Sequence, residues 1–107
     1  MPIGPDAIIA PEKLTQYLLA PLRKNDKSKF LARSGFDVAN PDLLEAEIRR
    51  LTAQTDAVVD RVREQGTFYT VSGQIVGPAG IPLAVKLVWL HRVDGVFWFV
   101  TLVPQSK

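Results

Sequence analysis

The sequence contains no cysteine. Disulfides, thiol nucleophiles and cysteine-ligated zinc are therefore excluded together. A single histidine, His91, leaves no histidine-rich metal site. No apolar run approaches the ~20 residues of a membrane-spanning helix. The richest, Ile81 to Leu90, is interrupted by Pro82 and Lys86. An excess of one charge is also missing: 13 Lys and Arg against 11 Asp and Glu give a formal +2. Net charge thus does not point to nucleic acid, and only a local cluster could. Met1 to Ala10 has neither a basic start nor a long apolar stretch, so no secretory signal is read there. A soluble, cytoplasmic chain without cofactor, metal or membrane contact is expected.

What is present suffices for one core. The chain has 107 residues, 47% of them hydrophobic and 22% charged, which argues against extended disorder and against two separate cores. A single domain over 1–107 is expected, with 1–10 an irregular leading segment. No repeat or low-complexity stretch divides it.

The first half reads as helices. Pro11 and Glu12 fit a first helical turn, Leu14, Tyr17 and Leu18 make one apolar face, and Pro21 stops it. Asp26 is a good cap for a second helix burying Phe30 and Leu31, ended by Gly35 in a left-handed conformation with Phe36 packing back on Leu31. The third is the clearest: Asn40 caps it, Pro41 takes the first position, Asp42 and Glu45 complement its positive end, and Leu44, Ile48 and Leu51 form the buried stripe, fading near Gln54 to Asp56.

From Ala57 the rhythm changes. Ala57 to Glu64 fits a weak strand or a continuation of the third helix. Thr67 to Val76 and Ile81 to Arg92 read as strands around a Gly77-Pro78-Ala79-Gly80 turn. Asp94-Gly95 signals a two-residue hairpin loop into a last strand, Val96 to Val103. That loop would pair His91 with Trp98, Trp89 with Val100 and Leu87 with Leu102 on one side. The other side would hold Arg92 with Phe97, Leu90 with Phe99, Val88 with Thr101 and Lys86 with Val103. Helices followed by strands give an α+β fold: three N-terminal helices on a three- to four-stranded antiparallel sheet. Both faces of the final hairpin are apolar at their centre, unlike a sheet covered on one side only. The helices would cover one face; a partner chain, a second copy or the N-terminal segment would shield the other, unless a curved sheet wraps its own core. Phe97, Phe99 and Thr101 are the residues expected to meet such a partner.

Lys13 to Leu19, Lys27 to Leu31 with Gly35-Phe36, Gly77 to Gly80, Val88-Trp89 and Val100 to Pro104 resemble a small bacterial domain family of unknown function. Its members look like stand-alone proteins or C-terminal toxin-like domains of large secreted or phage-associated proteins. The order of elements is also similar to the fold of barnase, colicin ribonucleases and messenger-RNA interferases. The resemblance implies a toxin-like domain acting on RNA, a metal-independent endoribonuclease neutralised by a small antitoxin or immunity protein. It supplies no catalytic residues. The rival reading is a non-catalytic module that binds protein, or a second copy of itself, through the second sheet face.

Two groups carry candidate chemistry. Arg23, Lys24, Lys27, Lys29 and Arg33 place five cations around Asp26, a local +4 that would attract phosphates without reading bases; the ordinary alternative is a solvated helix face. His91, beside Trp98, suits the base that takes a 2′-hydroxyl proton, and Arg92 or Lys86 could stabilise the phosphorane. Side chains alternate along a strand, so a bulge would be needed to bring His91 and Arg92 together; otherwise His91 is a structural residue near a hairpin. Asp56, Asp60 and Glu64, spaced by four, read as a charged helix edge and not as a metal site.

Overall fold

A computed structural model describes residues 3–24 and 26–105. The expected leading segment, 1–10, is thus seen from Ile3 onward, and Met1 and Pro2 lie outside the described residues. Three helices precede four strands: a π-helix Lys13–Leu18, α1 Ser28–Ala32, α2 Pro41–Gln54, then β1 Val58–Arg63, β2 Gly66–Val76, β3 Pro82–Arg92 and β4 Phe97–Pro104. The strands form one antiparallel sheet in chain order, β1-β2-β3-β4. The α+β class stands, with four strands. Ala57 to Glu64 resolves as a strand, so the helical line-up of Asp56, Asp60 and Glu64 does not exist.

The helices do not form one layer. Only α2 lies across the sheet, its Leu44, Ile48 and Leu51 fully or almost fully buried above β2. Leu51 sits over Gly73, where any added Cβ would collide with its methyl. Arg50 and Glu47 fix the helix laterally: Arg50 donates to Glu47 through Nε and Nη2 and to the Gln74 carbonyl, while Glu47 accepts from the Val76 N–H. The expected Asn40-Pro41 start holds, but the Asn40 side chain turns back, donating to the Gly35 carbonyl and accepting from the Asp37 N–H.

Helix α1 is short. The cap position falls on Lys27 and not on the expected Asp26, which sits one residue earlier and accepts from both the Ser28 N–H and its hydroxyl. Gly35 ends it at φ 92°, and the Phe36 N–H reaches back to the Leu31 carbonyl. Ser34, wholly buried, ties this end to the turn between β2 and β3: it accepts from the Gly77 N–H and donates to the Ile81 carbonyl, both at 2.6 Å.

The first helix is wound more widely than its spacing predicts. The Leu19 N–H bonds to the Leu14 carbonyl, five residues back. The wider turn keeps Leu18 close to Leu14 in the core and swings Tyr17 off that stripe, toward β4.

The final hairpin departs from its expected register. The Arg92 N–H bonds to the Val96 carbonyl and the Gly95 N–H to the Arg92 carbonyl, so the loop is Val93-Asp94-Gly95, three residues, with Gly95 at φ 89°. Near the loop His91 pairs with Phe97, Leu90 with Trp98 and Trp89 with Phe99. A bulge at Val100 then restores the expected pairs Val88–Thr101, Leu87–Leu102 and Lys86–Val103. Phe97 and Phe99 are thereby moved to the α2 side: Phe99 packs edge-on against buried Trp89, and Phe97 stacks on His91. They do not share a face with Thr101, as the shorter loop required.

The N-terminal segment covers the β4 edge and joins the core on the α2 side, and does not shield the opposite face as one expectation had it. Ile8 bridges Trp98 in parallel, its N–H to the Phe97 carbonyl and its carbonyl to the Phe99 N–H. Ile3, Ala7 and Ile9 are buried, and Arg49 of α2 holds the segment through the Ala7 carbonyl. Among the described residues no helix is long and apolar enough to cross a membrane.

Candidate functional site

The sheet face away from α2 brings together residues from the two ends of the chain. Thr101 lies there, opposite Val88, with Lys86 two residues further along the same face of β3. Tyr17, swung out by the π-turn, reaches Thr101 around the edge of β4. Lys27, directly before α1, completes a triangle: its Nζ donates to Thr101 Oγ1 at 2.8 Å and to the Tyr17 oxygen at 3.1 Å, and Thr101 donates to the Tyr17 oxygen at 3.2 Å. The Tyr17 ring also lies beneath two ammonium groups, Lys27 at 5.0 Å and Lys13 at 5.5 Å.

This geometry sets the chemistry of the phenol. The hydrogen bond from Thr101, then that from Lys27, holds the Tyr17 phenol below the ordinary tyrosine range; burial opposes, and the charges of Lys27 and Lys13 assist. Perturbation by specific charged and hydrogen-bonding partners is found at functional sites and in structural networks alike.

The residues singled out in the sequence are distributed unevenly around it. Of the cationic cluster, Arg23, Lys24, Lys29 and Arg33 are exposed, while Lys27 is half-buried and committed to Tyr17 and Thr101. Of the cluster, Lys27 alone is placed at the free sheet face by its contacts. The His91, Arg92 and Lys86 set does not converge. His91 is stacked at 4.1 Å on Phe97 and faces Tyr69 on the α2 side. Arg92 lies over Trp98 on the other side, and six residues of strand, about 20 Å, separate it from Lys86. The bulge that could have joined His91 to Arg92 sits on β4. Tyr17 was missed as a functional residue, because at its spacing it reads as part of the apolar face of a helix. Among the described residues no three His, Cys, Asp or Glu side chains gather as they would around a metal ion.

Further along the same face, toward the hairpin, lie half-buried Phe68, Leu90 and Trp98, with the Arg61 guanidinium 5.2 Å from the Phe68 ring and that of Arg92 5.6 Å from Trp98. The face thus carries a cationic, hydroxyl-bearing end and an aromatic end.

A helix-braced four-stranded meander with a polar cluster on its free face defines a small α+β domain. Residues 4–106 match the profile of the domain of unknown function DUF6883, and the chain belongs to that family. Among solved structures it is similar to a chain of the contact-dependent growth inhibition toxin–immunity protein complex from Klebsiella pneumoniae 342, with a TM-score of 0.68 and 17% identity over 92% of this chain and 100% of that one. At that identity the likeness is one of fold. No curated protein matches the chain.

Proposed function

We propose that the chain is a toxin-like domain that cleaves RNA at the Tyr17–Lys27–Thr101 triangle and is held in check by a small immunity protein. The observation that carries this reading is the Tyr17 oxygen fixed between the Lys27 ammonium and the Thr101 hydroxyl on an open sheet face, an arrangement that lowers the phenol. The fold neighbour, one chain of a toxin–immunity complex, supports the setting.

The proposed chemistry needs no metal. Tyr17, as phenolate, accepts the proton of a ribose 2′-hydroxyl, and that oxygen attacks the adjacent phosphorus. Lys27 and Lys86 offset the charge that grows on the phosphoryl oxygens. The bond from phosphorus to the 5′-oxygen breaks, and that oxygen takes a proton from the Lys27 ammonium. The proton gained by Tyr17 then returns to Lys27 along their hydrogen bond. Products are a 2′,3′-cyclic phosphate and a free 5′-hydroxyl. Exposed Arg23, Lys24 and Lys29 add attraction for the backbone that weakens with salt.

The second reading, a non-catalytic module that binds protein through the same face, is favoured by its aromatic end, Phe68, Leu90 and Trp98. Expression in bacteria separates the two. Under the first reading it arrests growth, and Tyr17→Phe relieves the arrest; harmless expression together with undegraded RNA supports the second.

A further inference from the structure

The two edges of the sheet are treated differently. The β4 edge is covered by the bridge from Ile8. The β1 edge is bare among the described residues: all six of its residues are exposed, and Val58, Val59 and Val62 are 63%, 56% and 66% accessible. It carries neither proline nor lysine, and its charges, Asp60, Arg61 and Arg63, are of both signs.

The pattern on β1 matches itself when reversed. Asp60 has no counterpart on β2, since Val59 pairs with Tyr69 and Arg61 with Phe68. In a regular strand Val59 and Val62 would face opposite ways; this bulge brings both to the α2 side, Val62 opposite Thr67. Arg61 opposes Phe68, and Asp60, the extra residue, lies beside it with the two side chains 3.9 Å apart. Antiparallel to a second copy, Val59 meets the partner's Val62 on the α2 side. Asp60 meets the partner's Arg61 on the other, and Val58 meets the partner's Arg63. Val59 thus meets a valine, Asp60 meets an arginine, Val58 meets an arginine, and no like charges are opposed.

We propose that β1 is a homodimer seam. Two copies join β1 to β1 about a two-fold axis normal to the sheet, and two four-stranded sheets become one of eight. The occupant is a second copy because the complementarity lies within one strand. The seam leaves the Tyr17 triangle, separated from it by two intervening strands, untouched, so it stands or falls apart from the RNA reading.

The test is charge exchange, read by sedimentation or light scattering over a dilution series. The unaltered chain dimerises. Asp60→Arg and Arg61→Asp each oppose like charges twice across the axis and weaken the dimer about tenfold or more. An equimolar mixture of the two restores it, since every facing pair is again opposite in sign, and so does the double variant. Thermal melts check that each variant folds; Val62→Lys, at a site already exposed, replaces either one that does not. A monomeric unaltered chain at high concentration, a dimer indifferent to Asp60→Arg, or no rescue in the mixture overturns the proposal.

Discussion

Lys27 donates to Thr101 at 2.8 Å across 74 residues of chain, and so joins the cationic turn before α1 to the last strand of the sheet. The hydrogen bond places an ammonium and a hydroxyl around the Tyr17 oxygen, and both neighbours favour its ionised form.

Tyr17 is therefore expected to ionise below the ordinary tyrosine value of about 10. Ultraviolet titration of the folded protein should show a phenolate component that Tyr17→Phe removes, and that Thr101→Val and Lys27→Met shift upward. The linked stability has a definite sign. With the folded value lowered, the unfolded chain holds the proton more tightly, so this group adds stability as pH rises from its folded value toward about 10. The contribution is lost as pH falls through the folded value. A difference between the wild-type and Tyr17→Phe melting curves that does not change over that interval contradicts the triangle.

Glu47 governs the acid side. Its carboxyl is held low first by Arg50, then by the Val76 N–H, against burial. Its stabilisation is present above the unfolded value of about 4.3 and fades as pH falls through the lower folded value. Glu47→Gln should cost about 1–2 kcal/mol at neutral pH and should cost less in acid; chemical denaturation at two pH values measures both.

Much of this scaffold is legible in the sequence because local chemistry decides it. Asn40-Pro41, the Leu44–Ile48–Leu51 stripe and the left-handed Gly35 each follow from backbone or helical periodicity alone, and all are found. The long strands β2 and β3 are equally plain. The site is less so. Asp94-Gly95 promises a two-residue loop, yet that tight loop occurs at Glu64-Gln65, where Arg63 pairs with Gly66, and the final hairpin takes three residues. The extra loop residue and the bulge at Val100 compensate each other, so the far half of the hairpin keeps its expected register while Phe97 and Phe99 change sides. Lys27 and Thr101 were separately visible as candidates. That they meet, and meet at Tyr17, depends on a π-turn and a long-range docking that no short window encodes.

Ser34 joins α1 to the β2–β3 turn through two short hydrogen bonds in a fully buried position. Ser34→Ala leaves the Gly77 N–H without its partner and should cost about 1–3 kcal/mol, read as a lower denaturation midpoint.

Trp89 is the largest buried side chain and meets Phe99 edge-on. Trp89→Ala should cost about 3–5 kcal/mol, a large part of the roughly 5–15 kcal/mol that holds a domain together. An unchanged unfolding midpoint would place the indole outside the core.

The most direct measurement is incubation of the purified chain and of its Tyr17→Phe variant with total RNA, in the presence of a chelator. Degradation by the unaltered chain to fragments ending in cyclic phosphate, and its loss in a variant that melts at the same temperature, is the predicted result. RNA left intact by the unaltered chain, or cleaved equally well without the Tyr17 hydroxyl, contradicts it.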